Sequence, residues 1–261
     1  MRNLFKSIAF TTVIGLSGAT AAQSMESPKP TVVLVHGAFA GSSSWNGVIA
    51  ELEEGGYHVI AAANPLRGVA SDGAAVSAIV KSVEGPVVLV GHSYGGPVIT
   101  EAANGNTNVK ALVYVSAFAP ETGETSLELT GKFPGSTLSD TLAPPVPQSD
   151  GLPDLYIDQA KFPQQFAADV PLRQARLMAA TQRPVAQAAL TEPSGVASWK
   201  VVPSYWIYGS ADRNIPPAAL KFMAERAHAR ETKVIEGASH VVMVSHPHEV
   251  ASLIEDAARS E

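Results

Sequence analysis

Short apolar runs alternate with segments of helical period from Thr31 to the end of the chain. Thr31 to His36 is β-branched and apolar almost throughout, as in a strand covered on both faces. Tyr57 to Ala62, Pro86 to Gly91, Val109 to Val115, Ser204 to Tyr208 and Thr232 to Glu236 read the same way. Helical patterns lie between them: Trp45 to Glu54, closed by Gly55 and Gly56; Ser71 to Val83, with Ser71 as N-cap; Tyr94 to Asn104, stopped near Gly105; Pro216 to Ala229; and Pro247 to Arg259. Six such strands predict an α/β fold with a doubly wound, six-stranded, mainly parallel sheet and right-handed crossovers. Ligands belong at the carboxyl ends of its strands.

One segment breaks the alternation. From Ala119 to Lys200, about 80 residues separate two consecutive strands, far more than an ordinary crossover. Asp158 to Ala168, Pro171 to Ala180 and Pro184 to Leu190 have helical patterns, and Tyr156, Phe162, Phe166, Leu172, Leu177 and Met178 supply apolar surface. The segment 119–200 therefore reads as an inserted helical cap rather than a disordered loop. The core comprises residues 31–118 and 201–260. Ahead of it, Arg2 and Lys6, the apolar run Ile8 to Leu16 and the small residues Ala19 to Ala22 have the form of an export signal over residues 1–22. The run is short for a membrane span. The mature chain is expected to be periplasmic or secreted, without a stable membrane anchor.

Composition narrows the chemistry. The chain has 261 residues, 46% hydrophobic and 16% charged, enough to bury one core. A formal net charge of −6 argues against a nucleic-acid surface. The absence of cysteine excludes disulfides, thiolate catalysis and cysteine-bound metal. His246 and His248 flank Pro247 without carboxylates at ligand spacing, so no metal site is predicted.

Gly91-His92-Ser93-Tyr94-Gly95-Gly96 fits Gly-x-Ser-x-Gly between a strand and a helix. Such a turn strains the serine backbone, exposes its hydroxyl at the sheet edge and aims a helix N-terminus at the site. A serine nucleophile needs a base, and the base an orienting acid, in the chain order Ser, acid, His. Asp212 follows the strand ending at Tyr208, and His240 follows the one ending at Glu236. Both project to the face where Ser93 emerges. The amide of Tyr94 is one oxyanion donor. The loop His36-Gly37-Ala38-Phe39-Ala40-Gly41 supplies the other, from Ala38 or Phe39, with Phe39 favoured. Ala38, Phe39, Trp45, Tyr94, Phe162, Phe166, Met178 and Val241 are candidate walls of an apolar pocket.

With four motifs in order, the chain resembles the α/β-hydrolase superfamily from Val32 to about Ala258. The pieces are the Val33-to-Trp45 stretch, the Ser93 motif, Tyr208-Gly-Ser-Ala-Asp212-Arg-Asn-Ile-Pro216 and Gly237-Ala-Ser-His240. The resemblance is to the compact branch that holds plant methyl-ester esterases and hydroxynitrile lyases. It implies that a lyase would carry threonine and lysine where this chain has Gly37 and Val241. An apolar Val241 offers no cation for departing cyanide. The expectation is a cofactor-free serine hydrolase acting on esters of small apolar or aromatic acids through an acyl-enzyme on Ser93. The alternatives are lyase-like or perhydrolase chemistry on the same triad, or a small-molecule receptor with a vestigial triad.

Overall fold

The computed structural model describes residues 28–149 and 151–260, so the 1–22 export signal lies outside the described residues. The chain runs β1 (Thr31–Val35), α1 (Asn46–Glu54), β2 (Val59–Ala62), α2 (Val69–Ser82), β3 (Val87–His92), α3 (Gly95–Ala103) and β4 (Val109–Val115). The insertion follows, with α4 (Ser126–Gly131), β5 (Asp154–Leu155), α5 (Phe162–Phe166), α6 (Leu172–Thr181), β6 (Val185–Ala186) and α7 (Gln187–Thr191). The core resumes with β7 (Ser204–Gly209), α8 (Pro217–Arg226), β8 (Glu231–Ile235), α9 (Val242–Ser245) and α10 (Pro247–Arg259).

The sheet has six strands in the order β2-β1-β3-β4-β7-β8, and every adjacent pair is parallel. Helix α1 packs on α10 and α2 on α3, which cover the sheet's two faces. Strands β3 and β7 are buried along their whole length, which explains their unbroken apolar runs. Edge strand β8 alternates instead, and its Lys233 pairs with Glu231 and with Asp256 of α10. A charged edge resists pairing with further strands.

Several boundaries differ from the sequence expectation for tertiary reasons. Helix α2 starts at Val69 because Glu192, from the cap, accepts the amides of Val69 and Ala70. Ser71 is not its N-cap: its hydroxyl turns back to Gly68 O within the first turn. Strand β2 starts two residues late because the Tyr57 amide closes the end of α1 on Leu52 O. The helix expected from Asp158 is only α5, since the Asp158 carboxylate holds the amides of Ala160 and Lys161 in a turn. Val185–Ala186, expected to be helical, pairs antiparallel with Asp154–Leu155.

Candidate active site

Ser93 sits in the turn from β3 to α3 with φ 53°, in the left-handed region that disfavours a side chain. The turn is locked by bonds from the Ser93 amide to Val115 O and from the Gly96 and Phe118 amides to Ser93 O. Close packing dictates the glycines around it. A Cβ at Gly95 would stand 2.4 Å from Val35 O, and one at Gly96 would stand 2.0 Å from Phe118 O.

The loops after β7 and β8 bring acid and base together. Nδ1 of His240 lies 2.7 Å from Oδ2 of Asp212, and both side chains are buried. The other Asp212 oxygen accepts the amides of Asn214 and Ile215 at 2.8 and 3.0 Å. One carboxylate therefore fixes its own loop and orients the imidazole. With Nδ1 donating to Asp212, Nε2 of His240 carries a lone pair. Nε2 is buried and has no hydrogen-bond partner among the described residues.

Two further histidines support this arrangement. The His92 ring lies 4.8 Å from the His240 ring, tilted 53° to it, and donates from Nε2 to the His240 carbonyl at 3.2 Å. Burial holds its pKa well below the ordinary value, so it is neutral. His36 donates from Nδ1 to Gly37 O and accepts the Asn64 amide at Nε2. Burial, with the Arg183 guanidinium nearby, lowers its pKa to about 4. It holds the loop that starts at Gly37, where a Cβ would come within 2.6 Å of Ser93 Cβ.

That loop corrects the choice of oxyanion donor. The Phe39 amide already donates to Arg183 O at 2.9 Å, so it is not available to an oxyanion. Phe39 adopts φ 60°, which turns its amide toward the cap. The amides of Ala38 and Tyr94 make no hydrogen bond among the described residues. The Tyr94 hydroxyl is anchored on Asp72 at 2.9 Å. Burial and that carboxylate raise its pKa, so it stays a donor.

Ser93 opens into a cavity of about 570 Å³ under the cap. Ala38, Phe39, Tyr94 and Phe166 line it as expected, together with Phe118, Leu127, Phe133, Leu138, Leu155, Leu190 and Ile215. Apart from the Tyr94 phenol, none of its lining side chains is ionisable. The other expected wall residues lie elsewhere. Trp45 is wholly buried with its ring against His92. Phe162 packs behind Phe166, which screens it from the cavity. Val241 is buried beyond His240. Met178 lines a separate cavity of about 240 Å³ on the far side of Phe39. Among the described residues, no group of acidic and histidine side chains is arranged to hold a metal ion.

The profile of the alpha/beta hydrolase family matches residues 32–253. The chain belongs to the alpha/beta hydrolase family. It is similar to the carbendazim hydrolyzing esterase of Nocardioides sp. (strain SG-4G), at 33% identity over 113 residues. That match covers 38% of this chain and 47% of the esterase, so the chain spans about half the length of that relative. The alpha/beta hydrolase nvfD of Aspergillus novofumigatus (strain IBT 16806) is 26% identical over 249 residues, 88% of this chain and 97% of that protein. The fold resembles the crystal structure of polyneuridine aldehyde esterase, with a TM-score of 0.76, 20% identity and coverage of 88% of this chain and 99% of that one.

In this alpha/beta hydrolase, sequence patterns did not single out Gln165, Asp169 or Arg183. All three touch the site from the cap, and no local pattern marks them. His92 carried a visible signal, being adjacent to Ser93 at a strand end, but its role depends on a loop from the far edge of the sheet.

Proposed function

We propose that this chain is a serine hydrolase that cleaves neutral, apolar carboxylic esters through an acyl-enzyme on Ser93. The observation that carries the reading is the buried Asp212–His240 pair beside a cavity into which a strained Ser93 opens. Ser93 Oγ attacks the ester carbonyl and passes its proton to His240 Nε2. Asp212, on Nδ1, stabilises the imidazolium. The tetrahedral oxyanion is held by the amides of Ala38 and Tyr94, with the α3 N-terminus adding its dipole. His240 returns the proton to the departing alcohol. Water then attacks the acyl carbonyl by the same route and frees Ser93.

The substrate class follows from the walls. A charged acyl or alcohol group would lose its hydration in a cavity that offers no counter-charge. A neutral chain or ring would gain by burying apolar surface against Phe118, Leu138, Leu155 and Ile215. The chain acts outside the cytoplasm after loss of residues 1–22. N-terminal sequencing of the exported protein should begin near Gln23, and a start at Met1 would contradict this.

Turnover of a p-nitrophenyl ester series, with Ser93→Ala as control, tests the activity. Neutral acyl chains of four to eight carbons should react fastest, and an anionic hemisuccinate ester far more slowly. Equal, negligible rates for both proteins across the series would refute the esterase reading. Cyanide release from a cyanohydrin would promote the lyase instead.

A further inference from the structure

The acid and the base of the site stand on different loops, after β7 and β8. Bonds from the Ala211 amide to Ala238 O and from the Gly237 amide to Ser210 Oγ link those loops. A single stretch of the cap, Phe162 to Asp169, also contacts both. Gln165 is 4% exposed, and its amide is committed on both sides. Nε2 donates to Arg213 O at 3.0 Å and to Asn214 Oδ1 at 2.6 Å, while Oε1 accepts from Thr137 Oγ1 at 2.8 Å. Arg213 and Asn214 directly follow Asp212, and the Asn214 amide is bonded to the Asp212 carboxylate. Gln165 thus fixes the residues that fix the acid.

Four residues on, Asp169 reaches the other loop. Its Oδ1 accepts a hydrogen bond from the hydroxyl of Ser239, the residue before His240. Between the two, the Phe166 ring lies 5.1 Å from the His240 imidazole and 6.2 Å from that of His92. The second oxygen of Asp169 is buried without a hydrogen bond, with His246 Nδ1 at 3.7 Å. Leaving a carboxylate oxygen so poorly compensated costs stability, and a neutral side chain would close the cap at lower cost. Packing alone does not account for a carboxylate at this place.

We propose that the cap segment Phe162 to Asp169 is a positioning brace for catalysis. Gln165 holds the Asp212 loop and Asp169 holds Ser239, so that the cap sets the distance and angle between Asp212 and His240. Neither residue touches the reacting atoms; both act through the loops. The cap is then part of the catalytic alignment as well as a wall of the cavity. This inference rests on the esterase reading for its kinetic consequences, but the alignment of His240 can be read without turnover.

The test uses Gln165→Met, Asp169→Ala, Asp169→Asn and Ser239→Ala in the full chain. Loosened alignment should lower kcat about tenfold in Gln165→Met, Asp169→Ala and Ser239→Ala, with KM changed less than about twofold. Asp169→Asn keeps an oxygen for the Ser239 hydroxyl and should restore most of the rate. The proton on His240 Nδ1, followed by NMR in the resting protein, should broaden or shift upfield in the three weakened variants and stay near its wild-type position in Asp169→Asn. Ser239→Ala removes the same bond from the core side, so the test holds even if Asp169→Ala loosens the cap. Unchanged kcat in Gln165→Met and Ser239→Ala overturns the proposal. So does a rise in KM at constant kcat, an Asp169→Asn rate as low as that of Asp169→Ala, or an undisturbed His240 resonance. If the wild-type protein hydrolyses no ester, the esterase reading fails separately, and the resonance alone decides the brace.

Discussion

Core and cap are built by different means. In the core, backbone meets backbone: β1, β3, β4 and β7 are parallel neighbours, and the turns at Gly91, Gly95, Gly96 and Gly209 leave no room for a side chain. The cap has two strands of two residues each, and α4, α5 and α7 have six, five and five residues. Helices this short are not stable alone. They are held by side chains reaching the core, such as Glu192 to Val69, Gln165 to Asn214 and Asp169 to Ser239. Side chains placed by backbone are hard to move and easy to destroy. A cavity placed by side chains can be reshaped one residue at a time. Core changes should therefore abolish activity or folding, while cap changes should tune rate and selectivity.

The largest effect should come from the core acid. Asp212→Asn keeps a carbonyl oxygen for the Asn214 and Ile215 amides but leaves His240 badly oriented, so kcat should fall about 10⁴-fold with little change in Tm. A thermal melt beside steady-state kinetics checks both parts. Next comes Gly96→Ala, whose Cβ would be 2.0 Å from Phe118 O. It should cost more than about 3 kcal/mol, or prevent folding, in denaturant titration. A protein as stable as wild type would break the claim that backbone contact dictates the elbow.

The buried His36 predicts an acid limit of similar size. Its folded pKa of about 4 lies below the ordinary 6.5, so between those values the unfolded chain binds the extra proton. Its contribution is complete above pH 6.5 and is lost as pH falls toward 4, worth about 3 kcal/mol. Denaturant midpoints measured across that window should fall with pH, and His36→Gln should flatten the slope. The smallest effect belongs to the cap. Leu127 is 56% exposed yet lines the cavity. Leu127→Ala should change stability by less than about 1 kcal/mol while lowering kcat/KM for long-chain esters several-fold relative to acetates. An equal loss for all chain lengths would blur the line between core and cap.

The same contrast explains what could be read from the sequence. The Ser93 elbow was legible because its glycines and its place between strand and helix are local features. Asp212 and His240 were legible because parallel strands send their following loops to one edge. Local sequence points to Phe39 as an oxyanion donor because the acceptor of its amide, Arg183, belongs to the distant cap. Trp45 and Phe162 have the character of pocket walls, but neighbours screen them from the cavity. Leu127, Phe133 and Leu138 were not foreseen, since proline-rich chain with short elements has no periodicity to fix its path. The cap's ties to Asn214 and Ser239 are pairings between distant segments, invisible to any window along the chain.

Ser93, activated by His240 and Asp212, should be acylated during turnover. Mass spectrometry of the protein quenched during p-nitrophenyl ester hydrolysis, or after reaction with a neutral alkyl fluorophosphonate, tests it directly. One adduct per chain is expected, on the peptide that holds Ser93, absent in Ser93→Ala and strongly reduced in Asp212→Asn. An adduct on another residue, or equal labelling of the Ser93→Ala protein, would contradict it.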